Sequence, residues 1–181
     1  MKIDAAGWLS GVRRIASPNC DARPAGMPVE LLVIHNISLP PGEFGGAAVA
    51  ELFTNTLDTS AHPYYEQLKG LKVSAHFLIR RDGGIIQFVP CGKRAWHAGV
   101  SSWRGRPACN NFSIGIELEG TDEAPFTDRQ YAMLARLTRR LQREYPFRDI
   151  AGHAAIAPGR KTDPGPLFDW PRYLQAVKKA G

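Results

Sequence analysis

Short apolar runs bounded by polar, Pro-rich or Gly-rich segments recur along the chain, as expected for buried β-strands. They occur at 30–34 (ELLVI), 74–89 (SAHFLIRRDGGIIQFV), 113–120 (SIGIELEG) and 149–152 (DIAG). Within the second run, Asp82-Gly83-Gly84 predicts the tight turn of a hairpin between two strands. Strict alternation in the third places its aliphatic side chains on one face of a strand, and Gly115, Glu117 and Glu119 on the other.

Helical periodicity marks three further segments, at 47–56, 127–145 and 169–179. The longest begins with Thr127, a favourable N-cap residue, and is followed by Pro146, which cannot continue a helix. The order strand, helix, hairpin, strand, helix, strand, helix predicts a single α/β domain with a mixed central β-sheet and packed helices. Residues 1–28 include SPNCDARPAGMP, whose prolines predict an extended lead-in packed on the domain formed by residues 29–181.

Composition narrows the classes of protein to which the chain can belong. Its 181 residues, 44% of them hydrophobic, suffice for one domain with a sizeable core. We expect a cytoplasmic protein with no membrane partner, because the N-terminus lacks an apolar signal region and no stretch approaches the roughly 18 apolar residues of a span. Three scattered cysteines without CxxC spacing favour a reducing compartment over a disulfide framework.

The net charge of +6 is spread along the chain in arginine pairs, without the Lys/Arg blocks of a nucleic-acid-binding arm. We therefore expect no nucleic-acid partner. A small substrate that carries carboxylates would explain the basic excess, and so would solubility alone.

The Pro- and Gly-rich segment AGHAAIAPGRKTDPGP at 151–166 concentrates an imidazole, a cation and a carboxylate, from His153, Lys161 and Asp163. Its prolines fix φ and remove backbone donors, so we expect a stiff loop and no helix. An ordinary surface loop would have the same composition. The segment therefore predicts a site only if other parts of the chain supply further ligands and a base.

A second polar pair, His35 and Asn36, follows the strand at 30–34, where the carboxyl edge of a sheet commonly binds ligands. With His153 and Asp163, His35 completes two imidazoles and one carboxylate, the ligand count of an open catalytic zinc centre. Such a set can also hold iron. The familiar iron arrangement, with an acid two positions from a histidine, does not occur at any of the five histidines.

Glu117 and Glu119 share one face of the strand at 113–120, and either can act as a general base if that face meets a cleft. If the face meets water, both are ordinary solvated charges. Glu117 lies deeper in the strand and beside Gly115, so it is the better candidate for a partly desolvated carboxylate.

Aromatic and basic residues alternate in the loop-rich segment at 91–110, which contains Trp96, His97 and Arg106. Aromatic faces beside cations suit an oxygen-rich ligand such as a sugar with carboxylates. Nucleic acid would fit the same chemistry, and loop aromatics packed on the core would show the same pattern.

Five motifs in chain order give the sequence a family resemblance: HNISLPPGEFGG, SAHFLIRRDG, RAWHAGVS, SIGIELEGTD and GHAAIAPGRKTDPGP. They resemble the cytoplasmic 1,6-anhydro-N-acetylmuramyl-L-alanine amidases, a branch of the zinc amidase family that is related to peptidoglycan-recognition proteins. The resemblance covers roughly residues 7–173, and one such motif alone would be weak evidence. It implies that residues 29–181 form a zinc amidase domain, with the zinc in a groove on one face of a mixed sheet.

The resemblance also implies roles for individual residues. It implies Zn²⁺ as the cofactor, held by His35, His153 and Asp163, with Glu117 as the proton acceptor and Lys161 as the stabiliser of the transition state. It favours Glu117 over Glu119. The reaction that it implies is hydrolysis of the amide between 1,6-anhydro-N-acetylmuramic acid and L-alanine in muropeptides, during peptidoglycan recycling.

For the substrate, we expect Lys72 and Arg106 to anchor the peptide, and Asn36, Trp96 and His97 to lie near the sugar or the scissile bond. The chain departs from the family pattern at Lys72, where an arginine is expected. Lysine cannot form the bidentate fork of arginine, which predicts a looser peptide preference or another residue in that role.

Two other classes of function stay open at this point. A peptidoglycan-binding module that has lost catalysis would lack a ligand or the base, whereas this chain has the full set. A phage or periplasmic lysin would carry an export signal or a wall-anchoring domain, and neither is visible. We therefore expect a monomeric cytoplasmic hydrolase that acts on a small anhydromuropeptide.

Overall fold

The computed structural model describes residues 1–179. Within them, the strands are β1 (Arg13–Arg14), β2 (Cys20–Ala22), β3 (Leu31–Ile37), β4 (Phe77–Ile79), β5 (Ile85–Gln87), β6 (Lys93–Ala95), β7 (Ser102–Trp103), β8 (Arg106–Pro107), β9 (Ser113–Glu119) and β10 (Asp149–Gly152). The α-helices are α1 (Ala48–Thr54), α2 (Asp128–Gln142), α3 (His153–Ile156) and α4 (Trp170–Lys178). Short 3₁₀ helices cover Pro63–Leu68 and Cys109–Asn111. No helix within residues 1–179 has the length and apolar character of a transmembrane span.

A six-stranded sheet in the order β1-β5-β4-β9-β3-β10 forms the centre of the fold. The hairpin β4–β5 is antiparallel, and the remaining neighbours in this sheet pair in parallel. Two small antiparallel ribbons, β2–β6 and β7–β8, lie outside it. The predicted single α/β domain with a mixed sheet and packed helices is thus confirmed.

Apolar side chains cover the two faces of the sheet differently. On one face, the even-numbered aliphatic residues of β9 pack with Leu134, Leu137 and Tyr173 of α2 and α4. Helix α2 begins with the predicted Thr127 cap, and the reciprocal side chain of Gln130 completes a capping box. Such a cap stabilises a helix by about 1 kcal/mol. The opposite face, which carries the odd-numbered residues of β9, is covered by α1, α3 and loops, and a cavity opens at its carboxyl edge.

Several predicted boundaries change in the structure. Strand β3 does not end at residue 34 but continues to Ile37, because β9 pairs with it in parallel as far as Glu119. The segment 151–166, predicted to be free of helix, contains the single turn α3, which begins at His153. The ribbons of the lead-in and of residues 91–110 were not predicted either. Strands of two or three residues are too short to show a period, and their pairing depends on tertiary contacts.

Candidate functional site

Three parallel strands bring polar side chains to one edge of the sheet. His35 of β3 lies directly opposite Glu117 of β9 in the register. Gly152, the last residue of β10, pairs with Ile34, so His153 follows at the level of His35. Because parallel strands end at the same edge, residues far apart in the chain meet there.

The loop after α3 adds the carboxylate. The backbone N–H of Ala154 donates to the carbonyl of Asp163 over 2.9 Å, which holds this loop against the first turn of α3. The loop approaches β10 so closely that a Cβ at Gly152 would lie 2.8 Å from Cδ of Pro164. Glycine at position 152 therefore allows Asp163 to reach the two histidines.

The ligand atoms of His35, His153 and Asp163 form a nearly equilateral triangle. Nδ1 of His35 lies 3.0 Å from Nδ1 of His153, and Oδ2 of Asp163 lies 3.1 Å from each nitrogen. Ligands about 2.0–2.1 Å from a tetrahedral zinc lie about 3.3 Å apart, so the triangle has nearly the size that zinc requires. The set could hold a metal ion.

The protonation states of the two imidazoles also suit the binding of a cation. Nε2 of His153 lies 3.1 Å from the carbonyl oxygen of Ala98, which places the ring proton on Nε2 and leaves Nδ1 as a lone pair. Burial lowers the pKa of His35 to about 4, so this ring is neutral near pH 7. Neutral imidazole nitrogens and a carboxylate oxygen are suitable ligands for zinc.

Glu117 lies beside this triangle with the properties of a base. Its Oε1 is 4.0 Å from Nδ1 of His35, and its side chain is 10% exposed. Among the described residues, Oε2 of Glu117 has no hydrogen-bond partner. Burial, and then the nearby charge of Asp163, raise the pKa of Glu117 well above its ordinary value, and Lys161 opposes the rise. A carboxylate with a raised pKa is suited to proton transfer near neutral pH.

These groups line a cavity of about 500 Å³. Its polar end includes His35, Glu117, Lys161 and Asp163, whereas α1 and the segment 64–73 supply apolar walls. A polar end that contains the reactive groups and an apolar wall for the rest of the ligand are typical of small-molecule sites.

The residues predicted to bind substrate fall into two groups. Asn36 and His97 line the cavity, and Nδ2 of Asn36 donates to Oδ1 of Asp122 over 2.7 Å. Lys72, Trp96 and Arg106 are not among its described lining residues, and their role in binding stays a prediction.

Two of those three residues have other surroundings. Arg106 forms an ion pair with Glu30 over 2.6 Å and lies over the ring of Phe112. Lys72 lies on a smaller neighbouring pocket that it shares with Leu71, a residue that also lines the main cavity.

The structure also places residues in the cavity wall that the sequence analysis did not consider. They include Tyr64, Asp122 and Arg160. Asp122 follows the Glu117 strand within the motif SIGIELEGTD, and Arg160 precedes Lys161, so proximity to the motifs was the available signal. Tyr64 belongs to a 3₁₀ helix far from the other site residues in sequence, and nothing in its local pattern distinguishes it.

Comparison with known proteins assigns the chain to a family. Residues 25–166 match the model of the N-acetylmuramoyl-L-alanine amidase family, Amidase_2. The chain belongs to this family. The 1,6-anhydro-N-acetylmuramyl-L-alanine amidase AmpD of Escherichia coli K12 is 58% identical to it over 96% of each chain.

Solved structures agree with this assignment. The crystal structure of a selenomethionine derivative of AmpD has a TM-score of 0.95 and 57% identity, and covers 98% of this chain and 99% of that one. The E. coli amidase AmiD, solved with anhydro-N-acetylmuramic acid-L-Ala-D-γ-Glu-L-Lys, has a TM-score of 0.61 and 31% identity, with 86% of this chain and 60% of that one covered. Within the family, the chain is therefore an amidase of the AmpD type.

Proposed function

We propose that this protein hydrolyses the amide between 1,6-anhydro-N-acetylmuramic acid and L-alanine in small muropeptides, and so acts in peptidoglycan recycling. The observation that carries the proposal is the triangle of His35, His153 and Asp163 beside Oε2 of Glu117, which has no hydrogen-bond partner in residues 1–179. The likeness to AmiD, which was solved with a substrate of this type, supports the choice of substrate.

We propose Zn²⁺ as the cofactor, held by Nδ1 of His35, Nδ1 of His153 and Oδ2 of Asp163. When bound, zinc acts as a Lewis acid towards a carbonyl and makes a water molecule more acidic. Two neutral nitrogens and one carboxylate are the ligands of an open catalytic site. Cys20, Cys91 and Cys109 do not belong to the triangle of His35, His153 and Asp163.

Glu117 is proposed to take a proton from the attacking water and to return it to the amine of L-alanine as the amide bond breaks. Its raised pKa suits both transfers, because a carboxylate that binds protons too weakly would not take one from the water, and a carboxylic acid can then release that proton to the more basic amine. Lys161, on the wall of the same cavity, is proposed to stabilise the oxyanion that develops on the carbonyl oxygen. Asn36 is proposed to contact the substrate beside the scissile bond, where Asp122 orients its amide.

We also propose that the enzyme acts as a cytoplasmic monomer. Free cysteines fit a reducing compartment, and burial raises the pKa of the Cys91 thiol to about 12, which keeps it unreactive.

Mass spectrometry of the products of a purified anhydromuropeptide tests the reaction. We expect the free anhydro sugar and a peptide that begins with L-alanine. An excess of chelator should abolish their release, and added zinc should restore it. Cleavage at another bond would contradict the proposed substrate, and full activity in chelator would contradict the proposed cofactor.

Metal analysis of two variants tests the ligand set. Asp163→Ala should lower the zinc content of the purified protein, because the carboxylate that completes the triangle is lost. Asp122→Ala removes a carboxylate from the same cavity but not from the triangle, and should keep its zinc. Full zinc occupancy in Asp163→Ala would remove Asp163 from the ligand set.

A further inference from the structure

His97 lies next to His35, one corner of the triangle formed by His35, His153 and Asp163, and both of its ring nitrogens contact neighbouring side chains. Its Nδ1 is 2.9 Å from Nε2 of His35, and its Nε2 is 3.1 Å from Oγ of Ser113. The residue is 8% exposed, and its ring lies against Gly115, where a Cβ would be 2.5 Å from Cγ of His97. His97 is thus wedged between a β9 residue without a side chain and one of the proposed metal ligands.

The direction of these hydrogen bonds follows from Ser113. Its hydroxyl donates to the carbonyl oxygen of Cys109 over 2.6 Å. A hydroxyl has one hydrogen, and two oxygens this close repel each other unless that hydrogen lies between them. Only lone pairs of the Ser113 oxygen are then left for His97. Nε2 of His97 must therefore carry the hydrogen of this contact.

The same reasoning extends from His97 to His35. The buried His97 ring touches no carboxylate among the described residues, so the site holds it as the neutral form, with one ring hydrogen. Since that hydrogen is on Nε2, Nδ1 of His97 accepts, and Nε2 of His35 donates to it. The other ring nitrogen of His35, Nδ1, then carries no hydrogen, and its lone pair is directed at His153 and Asp163.

We propose that the Cys109 carbonyl, Ser113 and His97 form a hydrogen-bond relay that fixes the tautomer and orientation of His35 and so prepares its Nδ1 to bind the metal. His97 is then a positioning residue and not a contact for the substrate. The proposal rests on the proposed function only for the identity of the cation.

Without the relay, His35 has a competing arrangement. Its ring hydrogen could move to Nδ1, which lies 3.1 Å from the carboxylate of Asp163. A metal would then have to displace that hydrogen before it could bind. Outer partners of metal-binding histidines typically contribute about 10–100-fold to metal affinity.

Two variants of similar shape separate hydrogen bonding from packing. His97→Leu removes the acceptor, whereas His97→Asn can keep an oxygen near the position of Nδ1. We expect His97→Leu to bind zinc about 10–100-fold more weakly than the wild type in competition with a chelator, and His97→Asn to stay within a few-fold. Thermal unfolding of both variants shows whether each is folded.

Long-range ¹H–¹⁵N spectra of the imidazoles in the zinc-free protein read the tautomers directly. In the wild type, we expect hydrogen on Nε2 of both His35 and His97. Ser113→Ala should let His97 populate the other tautomer, and it tests the relay even if His97→Leu does not fold. Hydrogen on Nδ1 of His35 in the wild type, or equal zinc affinity of His97→Leu and His97→Asn, would overturn the proposal.

These outcomes are separate from those of the proposed function. A wild-type protein that binds no zinc or cleaves no muropeptide would refute the function. The spectra of the zinc-free protein would still decide whether the relay exists.

Discussion

Glu117 and Glu119 lie two positions apart on the same face of β9, but their surroundings give them different chemistry. Glu119 forms an ion pair with Arg80 over 3.1 Å and accepts hydrogen bonds from the backbone N–H groups of Gly45 and Arg81. Glu117 has a raised pKa, and its Oε2 accepts no hydrogen bond from the part of the chain that the structure describes. Glu119 therefore anchors the loop before α1, and Glu117 is the one of the two that is available for the proposed proton transfer.

Glu117→Gln tests this division of roles. Glutamine keeps the shape of the side chain but cannot take a proton, so we expect turnover of anhydromuropeptide to fall by about 10²–10⁴-fold. Zinc content should stay at the wild-type value, because Glu117 is outside the ligand triangle. Steady-state kinetics and metal analysis of the same preparation measure both quantities, and unchanged turnover would remove Glu117 from the mechanism.

The residue types of the site were readable from the sequence, but their contacts were not. Two histidines and an aspartate predicted a metal set, because together they match the ligand count of an open catalytic zinc centre, although each alone would fit an ordinary loop. The alternation of β9 could not distinguish Glu117 from Glu119, since both point to the same side. Their difference depends on Arg80 and on the Gly45 loop, which the fold brings from other parts of the chain.

Strands and helices with a clear period were predictable, whereas short elements were not. The hairpin β4–β5 and the Thr127 cap depend on neighbours in sequence, and both are present. The ribbons β2–β6 and β7–β8 depend on partners far along the chain. Gly115 shows the same limit within β9, because its need for glycine comes from His97, a residue of another segment.

Gly115→Ala should disturb the packing of β9 against His97. A Cβ at this position would lie 2.5–2.8 Å from three atoms of the His97 ring, so the ring must leave its present position beside His35. We expect a loss of about 1–3 kcal/mol in the free energy of unfolding, measured with denaturant, together with weaker zinc binding.

Gly46→Ala is the matched control for this substitution. Within residues 1–179, no heavy atom beyond the neighbouring residues in sequence lies within 4 Å of a Cβ built there, so its stability should be close to that of the wild type. Equal stability of Gly115→Ala and Gly46→Ala would show that the His97 ring has room to spare.

Arg23 links the lead-in to the floor of the site, by which we mean the segments at 91, 110–111 and 113. No local pattern in residues 1–28 predicted this link. Its two terminal nitrogens donate to four backbone carbonyls: Asn110 (3.0 Å), Asn111 (3.1 Å), Cys91 (3.2 Å) and Ser113 (2.8 Å). The guanidinium thus ties the lead-in to the segments that carry the Cys109 and Ser113 groups of the relay. Although burial lowers its pKa to about 10, Arg23 stays charged near pH 7.

Arg23→Ala should therefore destabilise the lead-in and the domain together. It leaves four carbonyls without their donor, and each buried acceptor that stays unpaired costs about 1–3 kcal/mol. We expect the free energy of unfolding to fall by at least about 3 kcal/mol, in a single transition by fluorescence and circular dichroism. Arg23→Lys should recover only part of the loss, because an ammonium has three donors and no planar fork.

Arg13 is an exposed arginine of the same lead-in, so Arg13→Ala is the control for Arg23→Ala. Surface substitutions of this kind usually change stability by less than about 0.5 kcal/mol. If Arg23→Ala were as stable as Arg13→Ala, water would have replaced the guanidinium, and the lead-in would not be needed to support the floor of the site. A large difference between them would show that residues before the amidase motifs contribute to the stability of the domain that carries the candidate site.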